Sequence, residues 1–479
     1  MVFTSSLFLF YFLPAFLVVY HLAPPRLRNA IALAASLLFY AWGGPGFVYV
    51  LMAGTAVDYW LSCAIARDTQ PRRRQLWVAL SVVGNIGLLG YFKYANFFVE
   101  QTNGILSALG VQNLAWTNIA LPIGISFFTF QKLSYVVDVY RGTATRARSY
   151  ADCLLYVVLF PQLIAGPIVR YHDVDLQIRS RHHSTALFWS GVQRFVLGLC
   201  KKAILANGMA AFCDPVFEKP VWMVPQSLAW LAALAYYFQI YFDFSGYSDM
   251  AIGLGRMTGF QFLENFDRPY VAKTFTDFWR RWHISLSNFM REYIYIPLGG
   301  NRRGKLRGYL NLWIVFLVSG FWHGASWNFV VWGAYQGVFL TLDKLGWAKV
   351  AERVPAMVLR PLMVLLVLVS WVIFNTRDLT HSAQYLERMF GGGGPEWTRT
   401  SLNSLVPLDT YTACLFVAAA LVAFLPWSQR YLACEQAVLR FARTPVGAPL
   451  FGLVVWFGLL IGCLAVVNSS YNPFIYFRF

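Results

Sequence analysis

Of the seven histidines in this 479-residue chain, two stand where an imidazole could do chemistry. His323 lies in Ser319-Gly320-Phe321-Trp322-His323-Gly324-Ala325-Ser326-Trp327, an apolar, aromatic setting. A neutral imidazole there suits a general base, because its pKa lies close to working pH. The structural reading is a buried histidine bonded to a backbone carbonyl and joining two helices. His283 lies in Asp277-Phe278-Trp279-Arg280-Arg281-Trp282-His283-Ile284-Ser285. If this run is helical, Asp277 neighbours Arg280, and Arg280 neighbours His283, at i,i+3. Asp277 then neutralises Arg280, while Arg280 opposes protonation of the imidazole. Tryptophans interleaved with arginines describe an interfacial anchor equally well. Arg291 and Glu292 follow, then Pro297-Leu298-Gly299-Gly300-Asn301-Arg302-Arg303-Gly304. The glycines permit close backbone approach and the arginines could hold a phosphate, although a basic loop is also a topology signal.

Other polar positions read as structural. Asp243, Asp249 and Arg256 sit among small and apolar residues and suggest ion pairs between helices. The GxG between them lacks the βαβ context of a dinucleotide site. Lys93, Asp58 and Asp138 suggest similar pairing, and His21, His172, His182, His183 and His381 fall near span ends or in loops. The seven cysteines are scattered with no CxxC pair, which argues against a disulfide framework or a metal site.

The elements that position these residues belong to a membrane protein. Charged residues make up 13% of the chain and hydrophobic ones 58%, and the mean hydropathy is +0.51. So little charge cannot cover a soluble protein, and the lipid bilayer must be the main solvent. The net charge, 39 − 22 = +17, gathers in short segments between apolar runs, so nucleic acid is excluded as a partner. Candidate spans lie near 6–23, 29–42, 46–66, 76–98, 117–139, 153–169, 186–212, 222–243, 309–322, 325–343, 357–374, 411–426 and 446–467. Basic loops at 26–28, 67–74 and 141–148 alternate with uncharged or acidic ones through five spans. This orients the N-terminus outside, and Arg430, Arg440 and Arg443 place the C-terminus outside as well. The run 153–169 and residues 264–300 carry too many breakers or charges for lipid-facing helices and read as re-entrant or interfacial. Residues 391–410 read as a loop. The fold class is an all-α polytopic membrane protein, read as one integral-membrane domain over 1–479.

Spacing also gives a depth for His323. The helix leading to it starts near Tyr309, and 14 steps at ~1.5 Å make roughly 21 Å, short of a ~30 Å hydrocarbon core. The chain turns at Gly324 and returns to Lys344, so His323 should sit at the tip of a helical hairpin, inside the protein. An ionisable residue at such depth points by default to function.

Taken together, these residues resemble the membrane-bound O-acyltransferase (MBOAT) family, and within it the bacterial AlgI-type branch that serves alginate O-acetylation. The resemblance runs nearly end to end. It rests on Met1–Ser5, Phe39–Trp42, Leu121–Gln131, Pro161–Ile168, Phe242–Asp249, Arg281–Ser287 and Phe321–Gly324. It implies a ring of helices and re-entrant segments around a tunnel, with His323 as the catalytic histidine and His283 as the second position of that site. It further implies acetyl-CoA as donor with no tightly bound cofactor and no metal, and an exopolysaccharide as final acceptor, alginate first. A periplasmic SGNH-hydrolase-like acetyltransferase is the implied partner, in the bacterial inner membrane. Arg280, Arg291, Asn301, Arg302 and Trp322 are then the candidates for donor binding. The Phe474-Ile475-Tyr476-Phe477 tail resembles that of this branch, and Tyr476 is a candidate acyl carrier or an aromatic anchor. D-alanyl transfer to teichoic acid, or a polysaccharide flippase, are the alternatives.

Overall fold

The computed structural model describes residues 1–164, 166–391, 406 and 409–469, and every regular element among them is helical. The chain forms two compact units, 1–192 with 251–263, and 193–250 with 264–479.

In the first unit, α1 (Phe8–Leu22), α2 (Arg28–Ala41), α3 (Pro45–Arg67) and α4 (Pro71–Ala108) follow the apolar runs. Residues 109–124 form no regular helix, and α5 (Ile125–Arg141) starts eight residues later than the hydropathy suggested, just past Pro122. The core here is aromatic: Phe3, Phe8, Phe12, Phe16 and Phe39 all lie within 6.4 Å, ring to ring, of Phe160. The 153–169 run is not one span. Helix α6 (Tyr150–Val158) gives way to a single turn, Phe160–Leu163, and then to extended backbone. Nearly all of its described residues are buried, the condition under which irregular backbone is tolerated at membrane depth. Helix α7 (Tyr171–Arg179) follows.

Two long helices come next, α8 (Thr185–Phe217) and α9 (Gln226–Met257). The apolar signal of α9 stopped near Asp243, yet the helix runs on, because in the second unit α8 supplies cations to its carboxylates. Lys202 Nζ lies 2.8 Å from Asp243 and Lys201 Nζ 2.7 Å from Asp249. The interhelical ion pairs expected for these aspartates are therefore present.

Residues 264–300 hold only short helices, α10 (Phe275–Arg281) and α11 (Ile284–Met290), and a π turn at Arg291–Tyr295. Helices α12 (Lys305–His323) and α13 (Trp327–Leu342) then form the expected hairpin. Its arms touch backbone to backbone: a side chain at Gly320 would run into the carbonyl of Phe329. Helix α14 (Ala356–Asn375) packs against α13. The chain continues through α15 (Leu379–Gly391), α16 (Thr410–Trp427), α17 (Gln429–Phe441) and α18 (Gly447–Asn468). Helices α15 and α17 gave no apolar run, since each presents a strongly mixed surface, and the basic stretch around Arg430–Arg440 is helical rather than a loop. Most of the loop expected over 391–410 lies outside the described residues. Six helices among the described residues, α3, α4, α8, α14, α16 and α18, are long and apolar enough to cross a membrane.

Candidate active site

His323 ends α12 because Gly324 is extended and Ser326 opens the next helix. Any side chain at Gly324 would collide with the ring of Phe329, so the tip of the hairpin is fixed by packing. The helix begins at Lys305, four residues earlier than the sequence suggested, which puts His323 roughly 27 Å along it at ~1.5 Å per residue. The imidazole is buried, with ring centroids of Trp332 and Phe374 at 5.1 and 5.3 Å, both nearly perpendicular. Trp371 stacks on Trp332 behind them. These rings form an apolar wall on which the histidine is held.

His283 is held differently. It is 1% exposed and adopts the left-handed conformation (φ 45°, ψ 53°), which a side chain rarely takes. Such strain costs on the order of 1–3 kcal/mol and persists only where the surroundings enforce it. Asn265 does so. Its backbone carbonyl accepts from Ile284 N–H at 2.9 Å, and its Oδ1 accepts from Ser285 N–H at 3.1 Å and Ser285 Oγ at 2.8 Å. The same Oδ1 lies 3.2 Å from His283 Nδ1. An oxygen that accepts from a backbone N–H is fixed as acceptor, so His283 Nδ1 carries the proton and Nε2 is the nitrogen with a lone pair. Phe244 meets the imidazole edge-on at 4.5 Å. Both imidazoles lie against the indole of Trp322, at 6.4 Å for His283 and 4.9 Å for His323.

A cavity of about 440 Å³ approaches this pair. Its lining includes Trp279, Phe316 and Ser319 together with the cations Arg280, Arg291 and Lys344. Ser319 is one helical turn before His323. Trp279, on the cavity lining, touches Trp332, and Trp332 in turn faces His323. A second cavity of about 490 Å³ shares Arg291, Tyr295 and Asn301 with the first and is walled by Arg302 and Arg303. The turn is braced from within. Tyr295 donates to Asn301 Oδ1 at 2.6 Å, Lys344 donates to the Tyr295 hydroxyl at 3.2 Å, and Asn311 donates to the Gly300 carbonyl at 3.0 Å.

Five sequence candidates thus meet in one region: Arg280, Arg291 and Asn301 on the first cavity, with Arg302 on the second, and Trp322 between the two histidines. His323 and His283 sit beyond the cavity wall rather than on it. Two expected pairings are corrected. Asp277 bonds Arg281 at 2.9 Å, not Arg280, and Arg281 also pairs with Asp267. Arg280 is not stacked beside His283, because α10 ends at Arg281 and the left-handed step turns His283 away. Sequence reading missed Asn265, Ser285, Trp332 and Phe374. Tyr476 lies outside the described residues.

A model of the family "MBOAT, membrane-bound O-acyltransferase family" matches residues 143–374, a stretch that holds both histidines and both cavities. Over its whole length the chain is 40% identical to the probable alginate O-acetylase AlgI of Azotobacter vinelandii, all of which is covered. The chain belongs to the membrane-bound O-acyltransferase family. As such it is an acyltransferase, of the AlgI type. The AlgI of Pseudomonas aeruginosa is 43% identical over 90% of this chain and 82% of its own length. A peptidoglycan O-acetyltransferase of Helicobacter pylori is 34% identical over 100% of this chain and 98% of its own.

Proposed function

We propose that this protein is an O-acetyltransferase that takes acetyl groups from cytoplasmic acetyl-CoA and passes them across the inner membrane for O-acetylation of an exopolysaccharide. The observation that carries this reading is the cavity, which is lined both by the cations Arg280, Arg291 and Lys344 and by apolar side chains, and includes Ser319, one helical turn before His323. Coenzyme A is a polyanion and stays at a cationic mouth, where Arg280, Arg291, Lys344 and the Arg302–Arg303 turn offer charge-assisted hydrogen bonds. Its uncharged pantetheine arm extends inward and brings the thioester towards the tryptophan wall. His323 takes the proton of an acceptor hydroxyl as the oxygen attacks the thioester carbonyl. The tetrahedral adduct collapses, the C–S bond breaks, and the leaving thiolate takes the proton from the imidazolium. Ester and free thiol result, with no net proton change. His283, with Nδ1–H fixed by Asn265, orients the acceptor through Nε2. Trp332, Trp371 and Phe374 keep water out and limit hydrolysis of the thioester.

Loop charges support cytoplasmic entry and periplasmic termini, which leaves the tail containing Tyr476 on the acceptor side. Tyr476 then receives the acetyl group, and a periplasmic SGNH-hydrolase-like enzyme transfers it to the polymer. Alginate is the first acceptor to test, from the names of the relatives, and peptidoglycan the second. Membranes carrying the protein, a periplasmic extract and labelled acetyl-CoA should yield base-labile label in the alginate fraction. Label confined to peptidoglycan would replace the acceptor. Label in neither, with intact protein, would overturn the reading.

A further inference from the structure

A second cationic site lies in the first unit, where α1 ends. Its centre is Tyr20, fully buried, whose hydroxyl donates to the Thr258 carbonyl at 2.8 Å and accepts from Arg181 Nη2 at 3.0 Å. Arg181 is held further by the Gln177 carbonyl at 3.1 Å and by the ring of Phe260, 4.2 Å below its guanidinium. Arg28, from the start of α2, lies over the Tyr20 ring at 5.8 Å. His183 Nε2 is 3.2 Å from the same hydroxyl, and His21 Nε2 bonds the Met257 carbonyl at 3.0 Å.

Two features together leave this cluster open to an anion. The Nε atoms of both Arg28 and Arg181 are buried and have no hydrogen-bond partner, a cost that a bound acceptor would remove. Among the described residues, no carboxylate forms an ion pair with either guanidinium. Burial, and then the charges of Arg28 and Arg181, hold the His183 imidazole below the usual histidine range. Two guanidinium groups on adjacent elements, fixed by aromatic rings, therefore converge without a counter-charge. The neighbouring surface is apolar and exposed, at Val18, Val19, Leu22 and Leu27, as a helix end meeting acyl chains requires.

We infer that Arg28 and Arg181 bind the phosphodiester headgroup of an anionic phospholipid, with its acyl chains along the exposed face of α1. The two non-bridging oxygens satisfy two separate guanidinium groups, and a zwitterionic lipid would bring its own ammonium into a site that is already positive. The leaflet follows from the loop charges, which put this end of α1 in the cytoplasm. The site is independent of the acyl-transfer reading.

The test is lipid retention by the purified full-length protein, measured by native mass spectrometry and by the unfolding temperature, with phosphatidylglycerol or phosphatidylcholine added. Phosphatidylglycerol should be retained and raise the unfolding temperature, and phosphatidylcholine should not. In Arg28→Gln/Arg181→Gln the affinity for phosphatidylglycerol should fall about tenfold. In Arg72→Gln/Arg73→Gln, which removes the same charge from an exposed basic segment, it should be unchanged. Arg28→Gln alone tests the site without disturbing the fold, since Arg28 makes no hydrogen bond that would be lost, and it should show part of the same decrease. Equal losses in the two double variants would mean general charge attraction and overturn the site. So would full retention in Arg28→Gln. Equal stabilisation by inorganic phosphate would make the ligand a soluble phosphate and overturn the lipid assignment.

Discussion

Two regions of this protein bury polar groups in an apolar interior, and they do so in opposite ways. In the first unit Asp58 is 2% exposed and fully engaged. Ser81 donates to one oxygen at 2.5 Å, Asn85 donates to both at 3.0 and 2.9 Å, and Lys132, equally buried, lies 3.5 Å away. The four side chains close on one another. In the second unit His323 is held by aromatic rings and His283 by one asparagine on strained backbone, near a cavity whose lining includes three cations. Burial of a charge is therefore a poor sign of function. What separates the regions is whether the polar capacity is spent within the fold or directed towards space that a ligand can enter.

Breaking the closed cluster should cost the most. Asp58→Ala leaves Lys132 buried without its partner and should destabilise the protein by about 3–5 kcal/mol, seen as loss of the monodisperse peak on fluorescence-detected size exclusion. A stable Asp58→Ala protein with selective loss of acyl transfer would reverse the assignment of the two regions. Asn265→Ala acts on the open site. It frees His283 from its left-handed conformation, and a displacement of about 1 Å should lower kcat about 100-fold with little change in KM for acetyl-CoA. Arg291→Gln/Arg302→Gln should do the converse, raising that KM about tenfold and sparing kcat. The smallest effect belongs to another structural pair of the first unit. The hydrogen bond that His172 Nδ1 donates to Asp138 Oδ2 at 2.9 Å raises the His172 pKa above its usual value despite partial burial. The resulting stability is fully present below the unfolded value of about 6.5 and is lost as pH rises through the raised folded value. The unfolding temperature should fall by about 2 °C across that window, and this slope should vanish in His172→Gln while acetyl transfer is retained.

The sequence made the open site partly legible because its parts are local. The hairpin tip follows from one glycine-bounded helix, a basic loop at its start and a return to Lys344, and a helix starting four residues early did not change that result. The non-local parts were hidden. Asn265 precedes His283 by 18 positions, and nothing in their spacing announces that its amide oxygen would hold the His283 ring and the Ser285 N–H together. Trp332 and Phe374 reach His323 only after α13 and α14 pack. The expected Asp277–Arg280 pair failed because α10 offers Asp277 a four-residue neighbour, Arg281, which also pairs with Asp267 from the segment before the helix. Helices α15 and α17 were missed for a simpler reason: hydropathy finds helices surrounded by apolar material, and these are amphipathic.

The central claim is that His323 performs the proton transfer while the rest of the site positions substrate. The most direct measurement is single-turnover transfer from labelled acetyl-CoA by folded His323→Ala protein in sealed proteoliposomes, against the unaltered protein at equal donor occupancy. The rate should fall by about 10²–10⁴, the range of a lost general base, with donor binding and unfolding temperature close to those of the unaltered protein. Undiminished transfer by folded His323→Ala would remove the imidazole from the chemistry and contradict the account.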